Sequence, residues 1–205
     1  IELFFWQKLS PEHPDVTVNQ HLDDVRLAAL KAKLEASGLK AVNAYVADFG
    51  KTDEETRKLF AFAKKLGLRG LTGEPPVDRF DVVERMVKEY DVQLCFHNHA
   101  KNSDKPQYRN WDPDYLMGLM KGRDPRMGFS VDTGHIYRSG MDPVAYLQTV
   151  KGRIHSVHLK DVKEAKYGSP DLVYGQGGGN IPAVLEELKK QGFNGHVGVE
   201  FDTVS

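Results

Sequence analysis

Short apolar segments alternate with longer amphipathic ones along the whole chain, and this alternation limits the folds that are available to it. Seven segments have the length and pattern of β-strands, and six longer ones have the period of amphipathic helices. The predicted strands are residues 1–5, 39–46, 68–73, 92–97, 127–132, 154–159 and 196–201, and the predicted helices are 19–37, 53–66, 78–90, 112–121, 142–150 and 181–191. This order indicates parallel β/α units. No Ser- or Pro-rich linker interrupts it, so we expect a single domain over residues 1–205.

Parallel β/α units form either an open doubly wound sheet or a closed barrel. An open sheet usually carries a glycine-rich phosphate loop after its first strand, and none follows Phe5. A barrel instead places functional side chains at the carboxyl ends of several strands. The polar residues at predicted strand ends are Glu74, His97, His99, Asp132, His158 and Glu200. The sequence therefore predicts an α/β fold of the (β/α)8 TIM-barrel class, with the first β/α unit and the last helix missing from this chain.

The alternation of side chains along each strand predicts where these polar ends point. In residues 127–132 the bulky side chains share one face and Asp132 lies on the other. The same alternation places His97, His158 and Glu200 opposite the bulky residues of their own strands. We expect these ends to converge on one polar pocket inside the barrel.

Composition excludes several classes of protein. Lys and Arg total 28 against 29 Asp and Glu, and the net charge of −1 gives no general reason to bind nucleic acid or an anionic membrane. No apolar run approaches the roughly 20 residues that span a bilayer. Cys95 is the only cysteine, which excludes a disulfide framework and a cysteine-based zinc site. We expect a small-molecule substrate, no nucleic-acid or membrane partner, and a cytoplasmic location by default.

Three of the strand ends form a plausible set of metal ligands. Asp132, His158 and Glu200 supply two carboxylates and one imidazole from three consecutive predicted strands. Such a set suits one divalent ion of the Mn, Co, Mg or Zn type. The fourth ligand stays open between Glu74 and His97, with a slight preference for Glu74.

Further residues are candidates for contacts with a substrate. His135 follows Asp132 by three residues and could bind a second metal or donate a hydrogen bond to a substrate oxygen. Lys160 could neutralise an oxyanion or a phosphate, or pair with a neighbouring acid. Trp6 could form an apolar wall for a sugar face, and His99 is assigned to the substrate site as well. The glycine-rich segment 175–180 could present backbone N–H groups to a ligand, although a flexible loop is the simpler interpretation.

Four motifs resemble those of the xylose isomerase-like TIM-barrel superfamily, in the branch called sugar phosphate isomerase/epimerase. They are LCFHNH at 94–99, SVDTGH at 130–135, HSVHLKD at 155–161 and GVEFD at 198–202. The resemblance runs in order from the second strand of the barrel to the eighth, and it implies a metal bound at Asp132, His158 and Glu200. In well-known epimerases of the superfamily, a fifth-strand glutamate is a ligand and pairs with the eighth-strand glutamate as acid and base. This chain has His97 and His99 there, so the two-glutamate mechanism does not transfer unless Glu74 supplies one carboxylate.

The resemblance implies a divalent-metal-dependent sugar isomerase or epimerase that acts on a ketose or keto-sugar through an enediolate. A base, which is Glu74, His97 or Glu200, would remove the proton next to the carbonyl. Hydrogen bonds from His135 and Lys160 would stabilise the enediolate. The same intermediate can expel a β-oxygen, so the alternative is a lyase or dehydratase of keto-sugars or keto-inositols.

Two other classes of function are less consistent with the sequence. An apurinic-site endonuclease, which the superfamily also includes, needs a basic groove and further His or Asp ligands, and no histidine occurs between Asp161 and Tyr167. A sugar-binding protein without catalysis is disfavoured because all three core ligands are present. Barrels of this kind often pair, so we also consider a homodimer.

Overall fold

The computed structural model describes residues 1–201 and divides into two compact units, Ile1–Leu94 and Cys95–Ser205. The chain passes from one unit to the other within a strand, without a linker. Asp202 of the fourth motif and the end of the predicted domain lie outside the described residues.

The first unit is built on three parallel strands with helices between them. The strands are β1 (Glu2–Phe4), β2 (Lys8–Ser10), β3 (His13–Thr17), β4 (Asn43–Val46) and β5 (Gly70–Gly73), and the helices are α1 (Asp24–Ala36), α2 (Asp53–Leu66) and α3 (Phe80–Tyr90), the last preceded by a 3₁₀ turn at Val77–Arg79. Strand β1 pairs with β4, and β4 pairs with β5. A short antiparallel pair, β2 and β3, follows β1 and was not predicted.

Helix α2 shows how local sequence fixes an element. Thr52 accepts a hydrogen bond from the backbone of Glu55, and the Glu55 side chain accepts one from the backbone of Thr52, which completes a capping box. The helix ends at Gly67, whose left-handed conformation (φ 79°) turns the chain towards β5. The predicted start and stop of this helix are confirmed.

The second unit contains the remaining parallel strands. The strands are β6 (Gln93–His97), which starts in the last residues of the first unit, β7 (Met127–Asp132), β8 (Ile154–Leu159), β9 (Asp161–Val162), β10 (Asp171–Leu172) and β11 (His196–Val199), and the helices are α4 (Pro113–Met120), α5 (Thr133–Arg138), α6 (Pro143–Thr149) and α7 (Ile181–Lys190). Strand β7 pairs with β8, and β8 pairs with β11, while β9 and β10 form a short antiparallel pair.

All seven predicted strands and all six predicted helices are present, most of them shorter than predicted. The short helix α5 was missed because the sequence after Asp132 lacks a helical apolar period. It begins directly from β7, where the Asp132 carboxylate accepts a hydrogen bond from the backbone of His135. The transition from strand to helix thus places His135 beside the end of β7. No helix within residues 1–201 is long and apolar enough to cross a membrane.

Candidate functional site

The carboxyl ends of β6, β7 and β8 bring three potential metal ligands together inside the second unit. His97, Asp132 and His158 are each 3% exposed or less. One ligand atom from each lies within 4.8 Å of the others. The three residues form the buried cluster that is called the ligand cluster below.

The backbone of Asp132 is held in place by a neighbouring strand end. The side-chain amide of Asn98 donates to the Asp132 carbonyl at 3.1 Å and accepts from the Asp132 N–H at 2.9 Å. The Asn98 side chain thus makes the two hydrogen bonds, one donated and one accepted, that a backbone peptide group of a neighbouring strand would make. It therefore fixes the position from which the Asp132 carboxylate projects, and sequence reasoning did not assign Asn98 to the site.

The two oxygens of Asp132 have different surroundings. Oδ1 accepts the backbone hydrogen bond of His135 at 2.8 Å. Oδ2 accepts no hydrogen bond from residues 1–201 and faces three nitrogen atoms, at 3.3 Å (Lys160 Nζ), 3.6 Å (His97 Nε2) and 3.8 Å (His135 Nε2). Burial alone would raise the pKa of Asp132, but His135, His97 and Lys160 outweigh burial and hold this pKa well below its usual range. The carboxylate is therefore ionised and turned towards positive or proton-donating groups.

Lys160 and Glu200 form a second charged pair next to the ligand cluster. Lys160 is 1% exposed, and its Nζ lies 2.9 Å from Glu200 Oε1 as well as close to Asp132. Glu200 Oε2 lies 2.7 Å from His158 Nδ1. Burial opposes ionisation of Glu200, but the hydrogen bond and charge of His158, with Lys160, lower its pKa to about 2. Lys160 thus lies between two carboxylates, which is the ion-pair arrangement that the sequence left open.

Four imidazoles form a continuous layer from the ligand cluster towards solvent. Ring centroids are 5.0 Å apart for His97 and His158, 4.7 Å for His97 and His99, and 4.8 Å for His99 and His135. Burial lowers the pKa of His97, and it lowers the pKa of His135 to about 4 against the opposing charge of Asp132. Both rings are consequently neutral near pH 7, which is the form that binds metal.

The donor set fits a divalent ion. Two imidazoles and a carboxylate oxygen that accepts no hydrogen bond from residues 1–201 are groups that such an ion prefers, and burial protects them from competing water. Of the four predicted ligands, Asp132 and His158 belong to the ligand cluster, and His97 completes it. Glu200 contacts His158 and Lys160 instead.

Two predicted site residues lie in the first unit. Glu74 directly follows β5 and is half-buried. Trp6 is 53% exposed and packs its ring against Phe4 and Tyr45. Their roles as metal ligand, base and sugar-binding residue stay predictions.

The glycine-rich segment 175–180 makes hydrogen bonds within the chain. The backbone N–H groups of Gly175, Gly177 and Gly179 donate to the carboxylate of Asp161 at 2.8, 3.0 and 3.2 Å. These three N–H groups are therefore not offered to a ligand, because a carboxylate of the chain itself binds them, and the interpretation as a flexible loop stays a prediction.

A cavity of about 460 Å³ lies in the second unit and includes His99 and His135 in its lining. Its other walls come from the segment between β6 and α4 and from the segment between β9 and β10. The two imidazoles that border the ligand cluster thus also border a space large enough for a small-molecule ligand.

Residues 76–204, more than half of the chain, match the family model described as Xylose isomerase-like TIM barrel. Among curated proteins, the chain is 33% identical over 135 residues to the rhizopine catabolism protein MocC of Rhizobium meliloti, a match that covers 58% of this chain and 39% of MocC. It is 31% identical over 81 residues to an inosose dehydratase of Clostridium tetani, which covers 39% of this chain and 25% of that enzyme. The chain thus matches well under half the length of these relatives.

Solved structures resemble the chain over nearly its whole length. An uncharacterised protein of Parabacteroides distasonis is 36% identical, with a TM-score of 0.75 over 98% of this chain and 78% of that one. The IolI protein, whose structure contains a bound zinc atom, is 19% identical, with a TM-score of 0.72 and the same coverage, and shares the fold. The family match, the four motifs and the parallel β/α elements agree, and the predicted TIM-barrel class is confirmed: the chain belongs to the xylose isomerase-like TIM-barrel family.

Proposed function

We propose that this protein is a divalent-metal-dependent enzyme that removes the proton next to the carbonyl of a keto-sugar or keto-inositol. The observation that carries the proposal is the ligand cluster of His97, Asp132 and His158, which lies beside an imidazole-lined cavity. When bound there, a divalent ion would supply Lewis-acid polarisation of the substrate carbonyl and so acidify the neighbouring C–H group.

The residues around the ligand cluster have complementary tasks in this proposal. Lys160, held between Asp132 and Glu200, keeps both carboxylates in fixed positions and balances part of their charge. Glu200, with a pKa of about 2, is poorly matched to a base that must work near neutral pH, which favours a ligand or orienting role. The imidazoles of His99 and His135 border the cavity, where they can exchange protons and hydrogen bonds with hydroxyl groups of a polyol.

The enediolate formed by this proton removal has two outcomes. In an isomerase or epimerase, the proton returns to another carbon or to the opposite face of the same one. In a dehydratase, the hydroxyl on the β-carbon takes up a proton and leaves as water. We favour dehydration, because a relative that is 31% identical over the matched segment is an inosose dehydratase.

Metal content is the first test. Elemental analysis of the purified wild type, supplied with Mn²⁺ or Co²⁺, should give about one divalent ion per chain, and His158→Ala should lose it because one of three clustered ligands is gone. His13→Ala, a histidine of the exposed β3 strand, is the matched control and should keep the metal. A wild type that binds no divalent ion would contradict the proposal.

Turnover in D₂O then separates the two reactions. The metal-loaded enzyme is incubated with keto-inositols and keto-sugars and followed by NMR. Loss of the proton next to the carbonyl together with loss of water supports a dehydratase, whereas exchange or movement of that proton without water loss supports an isomerase or epimerase. Metal-loaded protein that exchanges no proton in any of these compounds would refute the proposed chemistry.

A further inference from the structure

The cavity beside His99 and His135 extends well beyond the two histidines. The turn-rich segment between β6 and α4 contributes Asn102, Lys105 and Tyr108, and the segment between β9 and β10 contributes Tyr167. At about 460 Å³, the cavity falls within the roughly 300–1,000 Å³ that drug-sized ligands occupy. One six-membered polyol ring would leave much of this space to water.

Both walls are held in place without a ligand. On one side, two successive turns join Lys105 N to Asn102 O at 3.1 Å and Tyr108 N to Lys105 O at 2.9 Å. On the other, the guanidinium of Arg138 donates to the Ser169 carbonyl at 2.8 Å and pairs with Asp171. The space is therefore part of the fold of the second unit, and binding of a ligand would cost little free energy for ordering these segments.

The lining combines aromatic rings with polar and positively charged side chains. Tyr108 and Tyr167 offer aromatic surface with a polar edge, the combination that binds sugar rings and aromatic groups. Asn102 donates to the Tyr167 hydroxyl at 3.3 Å and orients it. The lining includes Lys105 and Arg138, the latter paired with Asp171, and no acidic side chain of residues 1–201, so it disfavours a positively charged substituent.

We propose that this cavity binds a ring-sized substituent of the substrate, so that the substrate class is a keto-glycoside or a similarly conjugated keto-polyol. The inference rests on the proposed function, since the carbonyl must lie at the histidine end, next to the ligand cluster. The substituent then lies between the segments that carry Tyr108 and Tyr167.

Binding of unreactive glycosides tests the cavity separately from the chemistry. Phenyl β-D-glucoside and methyl β-D-glucoside are titrated calorimetrically into the metal-loaded wild type. The phenyl compound should bind at least about 5-fold more tightly, the factor expected for one added aromatic contact. Tyr167→Ala should bring the two affinities within about 2-fold, while Tyr167→Phe, which keeps the ring, should preserve the difference. Val173→Ala, an exposed apolar residue outside the lining, is the control and should behave as the wild type.

The outcomes distinguish this inference from the proposed function. Equal affinities of the wild type for the two glycosides, no measurable binding of either, or a phenyl preference that survives in Tyr167→Ala would overturn the inference. A phenyl preference that Tyr167→Ala removes supports it even if no keto compound is turned over, a result that would count against the proposed function alone. Circular dichroism of each variant confirms that the affinities compare folded proteins.

Discussion

Two buried aspartates lie at the carboxyl ends of adjacent parallel strands of the second unit, and their side chains have different contacts. Asp132 is the last residue of β7, and Asp161 follows β8 by two residues. Both are at most 2% exposed. In the sequence each is an acidic residue where a strand ends, so position and burial do not separate them.

Their hydrogen-bond partners do separate them. The oxygens of Asp161 accept three backbone N–H groups from residues 175–179. One oxygen of Asp132 caps α5, and the other faces nitrogen atoms of His97, His135 and Lys160 without accepting a hydrogen bond from residues 1–201. Backbone donors cannot move away without unfolding a loop, whereas side-chain nitrogens can share their carboxylate with an ion. The hydrogen-bond partners of a buried acid, more than its burial, therefore indicate whether it supports the fold or a site.

Exchanging each carboxylate for its amide should give the largest contrast. Asp132→Asn keeps the cap on α5 but loses the charged ligand, so its affinity for Mn²⁺ should fall by more than the roughly 10–100-fold that changes around metal ligands cost. Asp161→Asn should keep the wild-type affinity, because its contacts lie in the glycine-rich loop. Calorimetric titration of Mn²⁺ into both metal-free variants measures this. Equal losses of Mn²⁺ affinity in the two variants would show that Asp161 supports the metal site as much as Asp132 does.

Removing the Asp161 carboxylate should destabilise the fold. Asp161→Ala leaves three backbone donors without their charged acceptor, so the free energy of unfolding should fall by roughly 2–4 kcal/mol. Urea denaturation of the metal-free protein gives this value. Asp142→Ala, which removes only the exposed cap of α6, is the matched control and should cost about 1 kcal/mol. A loss in Asp161→Ala no larger than that of the control would contradict the structural role of Asp161.

Helix α5, which Asp132 caps, also contacts the glycine-rich loop that binds Asp161, and Gly178 lies at this contact. A Cβ added at Gly178 would lie 2.0 Å from the hydroxyl oxygen of Tyr137, which α5 carries to the glycine-rich loop. Gly178→Ala should therefore cost about 1–3 kcal/mol of unfolding free energy by overpacking. In a Tyr137→Ala background the same change should cost much less, which a double-mutant cycle measures.

A glycine without such a neighbour provides the control for this cycle. Gly118 lies within α4, and no heavy atom of residues 1–201 outside the neighbouring helix backbone lies within 4 Å of a Cβ added there. Gly118→Ala should stabilise the protein by roughly 0.5–1 kcal/mol, since alanine favours the helix. If Gly178→Ala lowers the free energy of unfolding by the same amount in the Tyr137→Ala background, the strain lies elsewhere in the loop.

The comparison also shows what the sequence could predict. The alternation along each strand correctly indicated that Asp132 and His158 are buried polar ends, because this pattern is local. Helix starts such as Thr52 and Asp112 were predictable for the same reason, since a cap and its partner lie within three residues. Elements set by short-range patterns were therefore found.

Contacts between distant segments could not be predicted. The two hydrogen bonds between Asn98 and Asp132 join residues that are 34 positions apart in the chain. The contact of Lys160 with Glu200 depends on the pairing of β8 with β11. The hydrogen bonds from Gly175–Gly179 to Asp161 depend on how a loop folds back, which no local period encodes. The four motifs contained Asn98, Asp132, Lys160, Asp161 and Glu200, and the glycines lay in a separate segment, but only the register and the path of the loop determine which groups meet.

A smaller effect tests whether the glycine-rich loop influences the site around Asp132. Burial raises the pKa of Tyr174, so its hydroxyl stays a donor, and it donates to the Leu159 carbonyl at 2.6 Å. The same carbonyl accepts the backbone N–H of Glu200 at 3.1 Å. The Leu159 carbonyl therefore binds both Tyr174, next to the glycine-rich loop, and Glu200, the partner of Lys160. Tyr174→Phe should lower the free energy of unfolding by about 1 kcal/mol, the value of one hydrogen bond.

The affinity of Tyr174→Phe for Mn²⁺ decides how to interpret that loss. It should stay within about 2-fold of the wild type, because the Glu200 N–H keeps its acceptor and the ligand cluster is not touched. Urea denaturation and Mn²⁺ titration of one preparation give both numbers. A fall in affinity of about 10-fold with the same small loss of stability would mean that the glycine-rich loop positions Glu200 for the metal. Asp161 would then act on the ligand cluster through the loop, and both aspartates would belong to a single site.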